Sequence, residues 1–416
     1  MSTYSRNCVV LAKTENGLIG GSGAVITVGA NTGGALPTGA ATVTTAGTGY
    51  PANRTIEVWF QGSGGVNAIG RITTSGAGAI LTATVDDGGS GYNNASPAAM
   101  TIVATANGSY GVYTAPATTD AVLVGTDFKI DPEVITVDRD VYTGSMGGKQ
   151  SIPGEAYVQI SFTIELAGSG AAITEAAWNS ILKAAGAVGV LTPGVKWDYT
   201  PITDQFPSLS MRIFRSGYVH VVRGCRVAKI DFDFSVSTLP TAVLTLIGID
   251  NGRQVAVNQP TPNLTAWKTP VVITDANTGD LRFGGTYSNA TGAFTGGTNY
   301  GSKGLKLTWD NSAKFRPFLG GSGVPITNRE VTGSFVLDLP PADNVAFYNA
   351  FKANSTISLA FVIGSVSGSI LKLWMPAIER NNPGDEDDDG LALASYSLRA
   401  RPSAMGLNDE IRIITM

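Results

Sequence analysis

The densest cluster of side chains able to do chemistry is Asp385-Glu-Asp-Asp-Asp389-Gly390. Asp385, Asp387, Asp389 and Gly390 fall at the spacing that opens a calcium loop, where alternate carboxylates converge on one ion. The pattern then breaks. Its twelfth place is Tyr396, inside an expected strand, where a bidentate glutamate is required, and no helix precedes it. A solvated acidic turn is the expectation, with a weak cation site or an acidic loop facing DNA as alternatives. His220 is the only histidine. One imidazole excludes a multi-histidine metal centre and leaves a single base for a Ser-His-Asp arrangement, and no Gly-x-Ser-x-Gly elbow is present. His220 shares its parity with Tyr218 and Val222 in an alternating strand, so a structural role is expected. The glycine-rich stretches lack the Gly-Lys-Ser/Thr ending of a phosphate loop. Cys8 and Cys225 are the only cysteines, too few for a disulfide framework or a four-thiolate zinc site. Neither catalytic residues nor a metal site nor a cofactor is expected, so the chain reads as a non-enzyme.

The composition agrees. Of 416 residues, 14% are charged, the formal net charge is -4, and 52 are glycine. Many short strands with tight turns suit that mix. The mild acidity argues against an electrostatic nucleic-acid binder, which needs a Lys/Arg surplus to neutralise phosphates. The start, Met1 to Arg6, lacks a basic-then-apolar export signal. No apolar run reaches the ~20 residues of a membrane helix, so membrane insertion by this chain is not expected.

Any surface function must then rest on the strands, and these repeat. Val158-Gln-Ile-Ser-Phe-Thr-Ile-Glu-Leu166 is answered 173 positions later by Val331-Thr-Gly-Ser-Phe-Val-Leu-Asp-Leu339, with Ser161-Phe162 over Ser334-Phe335. A short helix is expected after each, from Ala177 to Ala184 and from Ala346 to Ala353. Asp127-Phe-Lys-Ile130 matches Gly304-Leu-Lys-Leu307. Val9-Val10 through Gly20-Gly21 and Val271-Val272 through Gly284-Gly285 each read as a strand, a polar turn and a second strand. Lys229-Ile-Asp-Phe-Asp-Phe-Ser-Val236 alternates, with Ile230, Phe232, Phe234 and Val236 on one face and Asp231, Asp233 and Ser235 on the other.

The fold class expected is mainly β: two tandem β-sandwich or barrel domains, each with one helix, plus a small inserted all-β domain. The first repeated domain would comprise residues 1–21 and 119–250, the insert 22–118, a Pro/Asn/Gln-rich linker 251–266, and the second domain 267–416. Loops tolerate insertions because few contacts cross them. The insert repeats Val43 to Tyr50 as Val85 to Tyr92, where glycines permit positive-φ turns and each tyrosine can cover a small sheet. Each repeated half also carries a long polar loop, from Asp138 to Gly154 and from Asn311 to Pro325. Hairpin loops usually span two to five residues, so loops of this length point to a contact role.

The paired strands, long loop and single helix resemble the tail tube (major tail) protein of long-tailed bacteriophages. The resemblance runs over Asp127 to Ala187, Pro207 to Asp250, and Trp267 to the C-terminus. It includes the phrase Leu264-Thr-Ala-Trp267-Lys-Thr-Pro-Val-Val-Ile-Thr-Asp-Ala-Asn-Thr-Gly-Asp280, and the Gly-Ser/Thr-Gly-Tyr insert is similar to small repeats of phage tail proteins. The resemblance implies a structural virion protein, assembled in the host cytoplasm and placed in the tail. Its rings would join sheet edge to sheet edge and stack into a tube that conducts DNA without binding it specifically. Its partners would be itself and the tail proteins at the tube ends. A duplicated domain then implies a trimeric ring with pseudo-sixfold symmetry and the insert on the outer surface. Tyr142, Met146, Lys149, Phe315, Arg316 and Phe318 are the candidate ring-stacking residues. Asp231 and Asp233 are the candidates to face the lumen, with an outer solvated face as the alternative. The competing function is a host-surface, glycan-binding tail module in which the insert's tyrosines do the binding.

Overall fold

The computed structural model describes residues 8–15, 22–28, 36–48, 50, 55–62, 65–87, 98–103, 115–141, 146, 149–171, 174–203, 206–215, 217–255, 259–319 and 322–416. Two compact units emerge, Glu15–Thr114 and the remainder, Met1–Thr14 with Ala115–Met416.

In the smaller unit the strands are β2 (Ser22–Val28), β3 (Gly39–Thr48), β4 (Thr55–Gly62), β5 (Gly65–Thr74), β6 (Ile80–Asp87) and β7 (Ala98–Val103). They pair antiparallel in the order β2-β3-β6-β5-β4-β7, and β7 returns to β2, so the sheet closes on itself. Closure removes sticky sheet edges. Ala24, Ile26 and Val28 alternate inward and meet Leu36, Ile72, Val85 and Tyr50 in a small core. The Tyr50 amide donates to Gly78 O at 3.0 Å. Gly78 has φ +72°, and a Cβ there would lie 2.5 Å from Tyr50 O, so only glycine lets that turn close on the tyrosine. Tyr92 lies outside the described residues.

The larger unit begins with β1 (Cys8–Thr14), β8 (Ala121–Val122), β9 (Lys129–Asp138), β10 (Ser151–Glu165) and α1 (Asn179–Ala184). Next come β11 (Ala187–Thr192), β12 (Lys196–Pro201), β13 (Leu209–Arg215), β14 (Tyr218–Ser235) and β15 (Thr241–Val255). The second half supplies β16 (Leu281–Tyr287), β17 (Phe294–Tyr300), β18 (Ser302–Asp310), β19 (Glu330–Leu337) and α2 (Pro341–Lys352). The chain ends with β20 (Ile357–Ile363), β21 (Leu371–Asp388), β22 (Leu391–Arg401) and β23 (Arg412–Thr415). The protein is mainly β, as its alternating pattern requires, and both expected helices form.

One pairing scheme occurs twice. The run β9-β10-β15-β14 is followed by β18-β19-β22-β21, every neighbour antiparallel. In the first run Val158, Ile160, Phe162 and Ile164 point into the core, and in the second Val331, Phe335 and Leu337 do so. Ring contacts tie the second core together: Phe283 lies 5.2 Å from Phe335 and 5.4 Å from Phe347 of α2. Aromatic pairs at such separations add about 0.5–1.5 kcal/mol each beyond burial.

Two sequence expectations need correction. Residues 271–272 are not a strand, and Gly20-Gly21 lies outside the described residues. Pro270 has no N–H to give a ladder, and the Ile273 amide instead donates to Thr238 O at 3.0 Å. β16 takes the matching place: it pairs with β20 as β1 pairs with β13. The expected linker also starts late, because β15 continues through residues 251–255, where Val255, Gln254 and Arg253 face Tyr218, Val219 and His220.

Candidate assembly surface

β14 is the hinge of the architecture. Its first part lies between β13 and β15. From Lys229 to Ser235 the β13 side is taken over by β18, in the register Lys229↔Asp310, Asp231↔Thr308, Asp233↔Lys306 and Ser235↔Gly304. The last strand of the first run therefore pairs with the first strand of the second, and eight strands follow one another from β9 to β21. Ile230, Phe232, Phe234, Leu305, Leu307 and Trp309 seal the core side of this junction.

The opposite face is polar. Lys229, Asp231, Asp233, Lys306 and Thr308 stand there, flanked by Thr241, Val243 and Thr245 of β15 and by Thr332 and Ser334 of β19, with Val243 the exposed apolar exception. Asp231, expected in the sequence as a face residue, accepts a bond from Thr308 Oγ1 at 2.6 Å and pairs with Lys229 at 2.8 Å. Asp233 accepts the Ser235 amide at 3.0 Å and lies 3.9 Å from Lys306 Nζ. Both carboxylates are half-exposed and partly matched by lysines, so each pair contributes only about 0–1 kcal/mol and is screened by salt.

The two ends of the eight-strand run are open. Among the described residues β9 pairs with β10 alone, and Val134, Ile135 and Val137 on it are exposed. From Glu379 onward β21 pairs with β22 alone among the described residues, whereas its earlier part is covered by β20 and β23. An uncovered strand edge presents unpaired N–H and C=O groups that template another strand.

The long loops differ. β9 and β10 continue pairing out to Asp138↔Ser151, so the first loop leaves on a protruding hairpin. Met146 is fully exposed, and Lys149 pairs with Asp140 in the open. Tyr142 lies outside the described residues. The second loop folds back. Asn311 is buried and accepts the Trp309 indole N–H at 2.8 Å. Its amide donates to Ala185 O at 2.8 Å and Val227 O at 2.9 Å. Arg226 donates to Val324 O at 3.2 Å, and Phe315 stacks on Tyr157 with centroids 5.0 Å apart. Arg316 bridges Gly323 through paired backbone bonds, leaving Phe318 and Leu319 exposed at the tip. The five described loop candidates differ: Phe315 is committed within the chain, Lys149 pairs with Asp140, and Met146, Arg316 and Phe318 face out.

His220 and part of the acidic segment have partners within the chain. His220 is buried between β13 and β15. Its Nδ1 accepts from Arg253 Nε at 3.4 Å, so Nε2 carries the proton and donates to Asp250 Oδ1 at 2.8 Å. The Asp385–Asp389 segment is the distal end of β21 and its turn. Asp389 and Gly390 have φ of 51° and 92°, the Gly390 amide donates to Asp387 Oδ1 at 3.1 Å, and Lys303 holds Asp388 at 2.7 Å. Among the described residues no group of three or more His, Cys, Asp or Glu is placed to hold a metal. No helix among the described residues is long and apolar enough to cross a membrane.

Sequence reasoning missed a buried ionic cluster. Lys196 is fully buried, donating to Asp198 and to the Tyr287 hydroxyl, which in turn donates to Asp198 Oδ1 at 2.7 Å. Burial first, and then the Asp198 carboxylate, push the Tyr287 hydroxyl far above its ordinary 10.0. Lys372 nearby is held below its usual 10.5, mainly by burial and further by Lys196. Lys196 follows a turn in the sequence and carries no signal there that Tyr287 of β16 and the turn at Gly292 will pack against it.

In comparison with known families, the model described as phage tail tube protein matches residues 97–400. No curated protein matches the chain.

Proposed function

Because the chain belongs to the phage tail tube protein family, a structural component of the virion tail, we propose that it forms stacked rings enclosing the path of DNA into the host. The observation that supports this reading best is the β14–β18 junction. There one four-stranded run continues into a second of the same strand order, and the run ends in two unlike open edges. We take the two runs as copies of one domain. An edge-to-edge contact that is head-to-tail closes into a ring when its rotation divides the circle, and ring-on-ring stacking, which does not close, makes a filament. Three chains with two domains each then build a pseudo-sixfold ring.

The polar face bearing Asp231 and Asp233 would line the bore. Its two aspartates are matched by Lys229 and Lys306, so the wall carries no basic surplus to grip phosphate, and DNA would slide without being held. The exposed loop tips, with Met146, Lys149, Arg316 and Phe318, would touch the next ring, and the insert would decorate the outside. Negative-stain microscopy of the purified chain at high concentration tests the reading. Hollow rods whose rings carry three insert densities are expected. Six densities per ring would overturn the trimer, and a chain that stays monomeric would overturn the tube.

A further inference from the structure

We propose that β9 of one chain pairs antiparallel with the distal part of β21 of a neighbouring chain, with Lys129 opposite Glu386. The contact between chains then reproduces the β14–β18 junction within the chain. This rests on the tube reading above, and it specifies the partner strand and its register.

The internal junction is the template. Ser161 of β10 faces Lys129 of β9, and Ser334 of β19 faces Lys306 of β18, so Lys129 holds on β9 the place of Lys306 on β18. At the other end, Phe162 faces Leu244 and Phe335 faces Tyr396. Three residues before each partner, Thr241 faces Asp233 and Leu393 faces Glu386, so Glu386 holds the place of Asp233. Inside the chain Asp233 and Lys306 are direct partners across the junction, 3.9 Å apart as an ion pair. Equivalent places on the open edges therefore carry the same charge complement, Glu386 and Lys129.

Burial differs between the equivalent strands in the way a missing neighbour requires. Leu307 on β18, with β14 beside it, is 1% exposed. Its equivalent on β9, Ile130, is only half-buried, and nearly all of β9 beyond it is exposed. An edge strand with exposed Val134, Ile135 and Val137 is an aggregation hazard unless something covers it. The strand that fits is the acidic, singly paired end of β21 on a second copy.

The test uses the full-length chain in a Cys8→Ser background, with Lys129→Cys and Glu386→Cys together. Directly opposed strand residues have Cβ atoms about 4.5–5.5 Å apart, within reach of a disulfide or a short bismaleimide. After assembly and cross-linking, denaturing gels should show two- and three-chain species, and each single cysteine should stay largely monomeric. Lys129→Glu should slow assembly at low salt, and adding Glu386→Lys should restore it. Tubes that form but cross-link through Lys129→Cys with Asp388→Cys in preference to Glu386→Cys would overturn the register while leaving the tube reading intact. So would tubes that cross-link at neither pair. Failure of the unmodified chain to assemble would overturn both.

Discussion

Asn311 donates its side-chain amide to the carbonyl of Ala185, 2.8 Å away and 126 positions earlier in the chain. Its oxygen takes the Trp309 indole N–H, and its second amide hydrogen goes to Val227 O. One residue of the second long loop thus satisfies three buried groups, two of them in the first half of the chain. Asn311→Leu leaves these groups without partners at roughly 1–3 kcal/mol each, with partial relaxation, so a loss of about 2–4 kcal/mol is expected. Urea unfolding checks it, and a midpoint equal to the parent's would refute the staple.

Gly248 lies under Cys225. A Cβ added there would stand 2.5 Å from Cys225 Sγ and 2.6 Å from Val222 Cγ1, and both of these residues of β14 are fully buried. Gly248→Ala should cost about 1–3 kcal/mol through overpacking. Pairing it with Cys225→Ala should recover part of that loss, read from thermal midpoints of the three variants.

Lys196 and Asp198 form a buried pair, with Arg412 3.9 Å from the same carboxylate. Lys196→Met takes from Asp198 its nearest cation and leaves it only the Tyr287 hydroxyl and the more distant Arg412, and about 3 kcal/mol of stability should go with the change. Neutralising both, as Lys196→Met with Asp198→Leu, should recover much of the loss, because the desolvation cost disappears with the charges. A double-mutant cycle by chemical denaturation reads the coupling.

Alkaline stability should fall above pH 10. Burial raises the Tyr199 and Tyr287 hydroxyls far above their ordinary 10.0. The unfolded chain releases these protons near that pH while the folded chain keeps them. The folded state then binds more protons, and stability declines as pH rises. Below pH 10 both states are protonated and the contribution is fully present. The Cys8 thiol, raised from 9.0 mainly by burial, adds the same sign from a lower pH. Near-ultraviolet titration should show some of the 13 tyrosines ionising only together with unfolding. Smooth ionisation of all of them in the folded state would contradict it.

Much of the fold was legible because its signals are local. Ile230, Phe232 and Phe234 alternate with Asp231 and Asp233, and the structure buries the first set and leaves the second half-exposed, but Val236, expected on the buried face, lies beyond the end of β14 and is exposed. The helix after each repeated strand formed where small and aromatic residues follow at helical spacing. Val271-Val272 misled because two β-branched residues read as a strand, whereas Pro270 and the bond from Ile273 to Thr238 fix that segment as irregular chain. The difference between the long loops was also hidden. The decisive contacts of the second loop, Asn311 with Ala185 and Phe315 with Tyr157, join residues far apart in sequence.

The sequence alone determined which residues share a face along a regular stretch such as Lys229–Ser235, because successive side chains there alternate sides whatever the strand pairs with, whereas the bulges earlier in β14 break that alternation. It also carried two strand phrases, Val158–Leu166 and Val331–Leu339, that align at an offset of 173 positions. Only the tertiary structure decided that β14 pairs with β18, that Lys196 is sealed from water, and that β9 and the end of β21 are left uncovered. The reason is physical. Backbone N–H and C=O groups are the same at nearly every residue, so a strand's own sequence does not name its neighbour. The choice of neighbour is made by packing across the whole sheet.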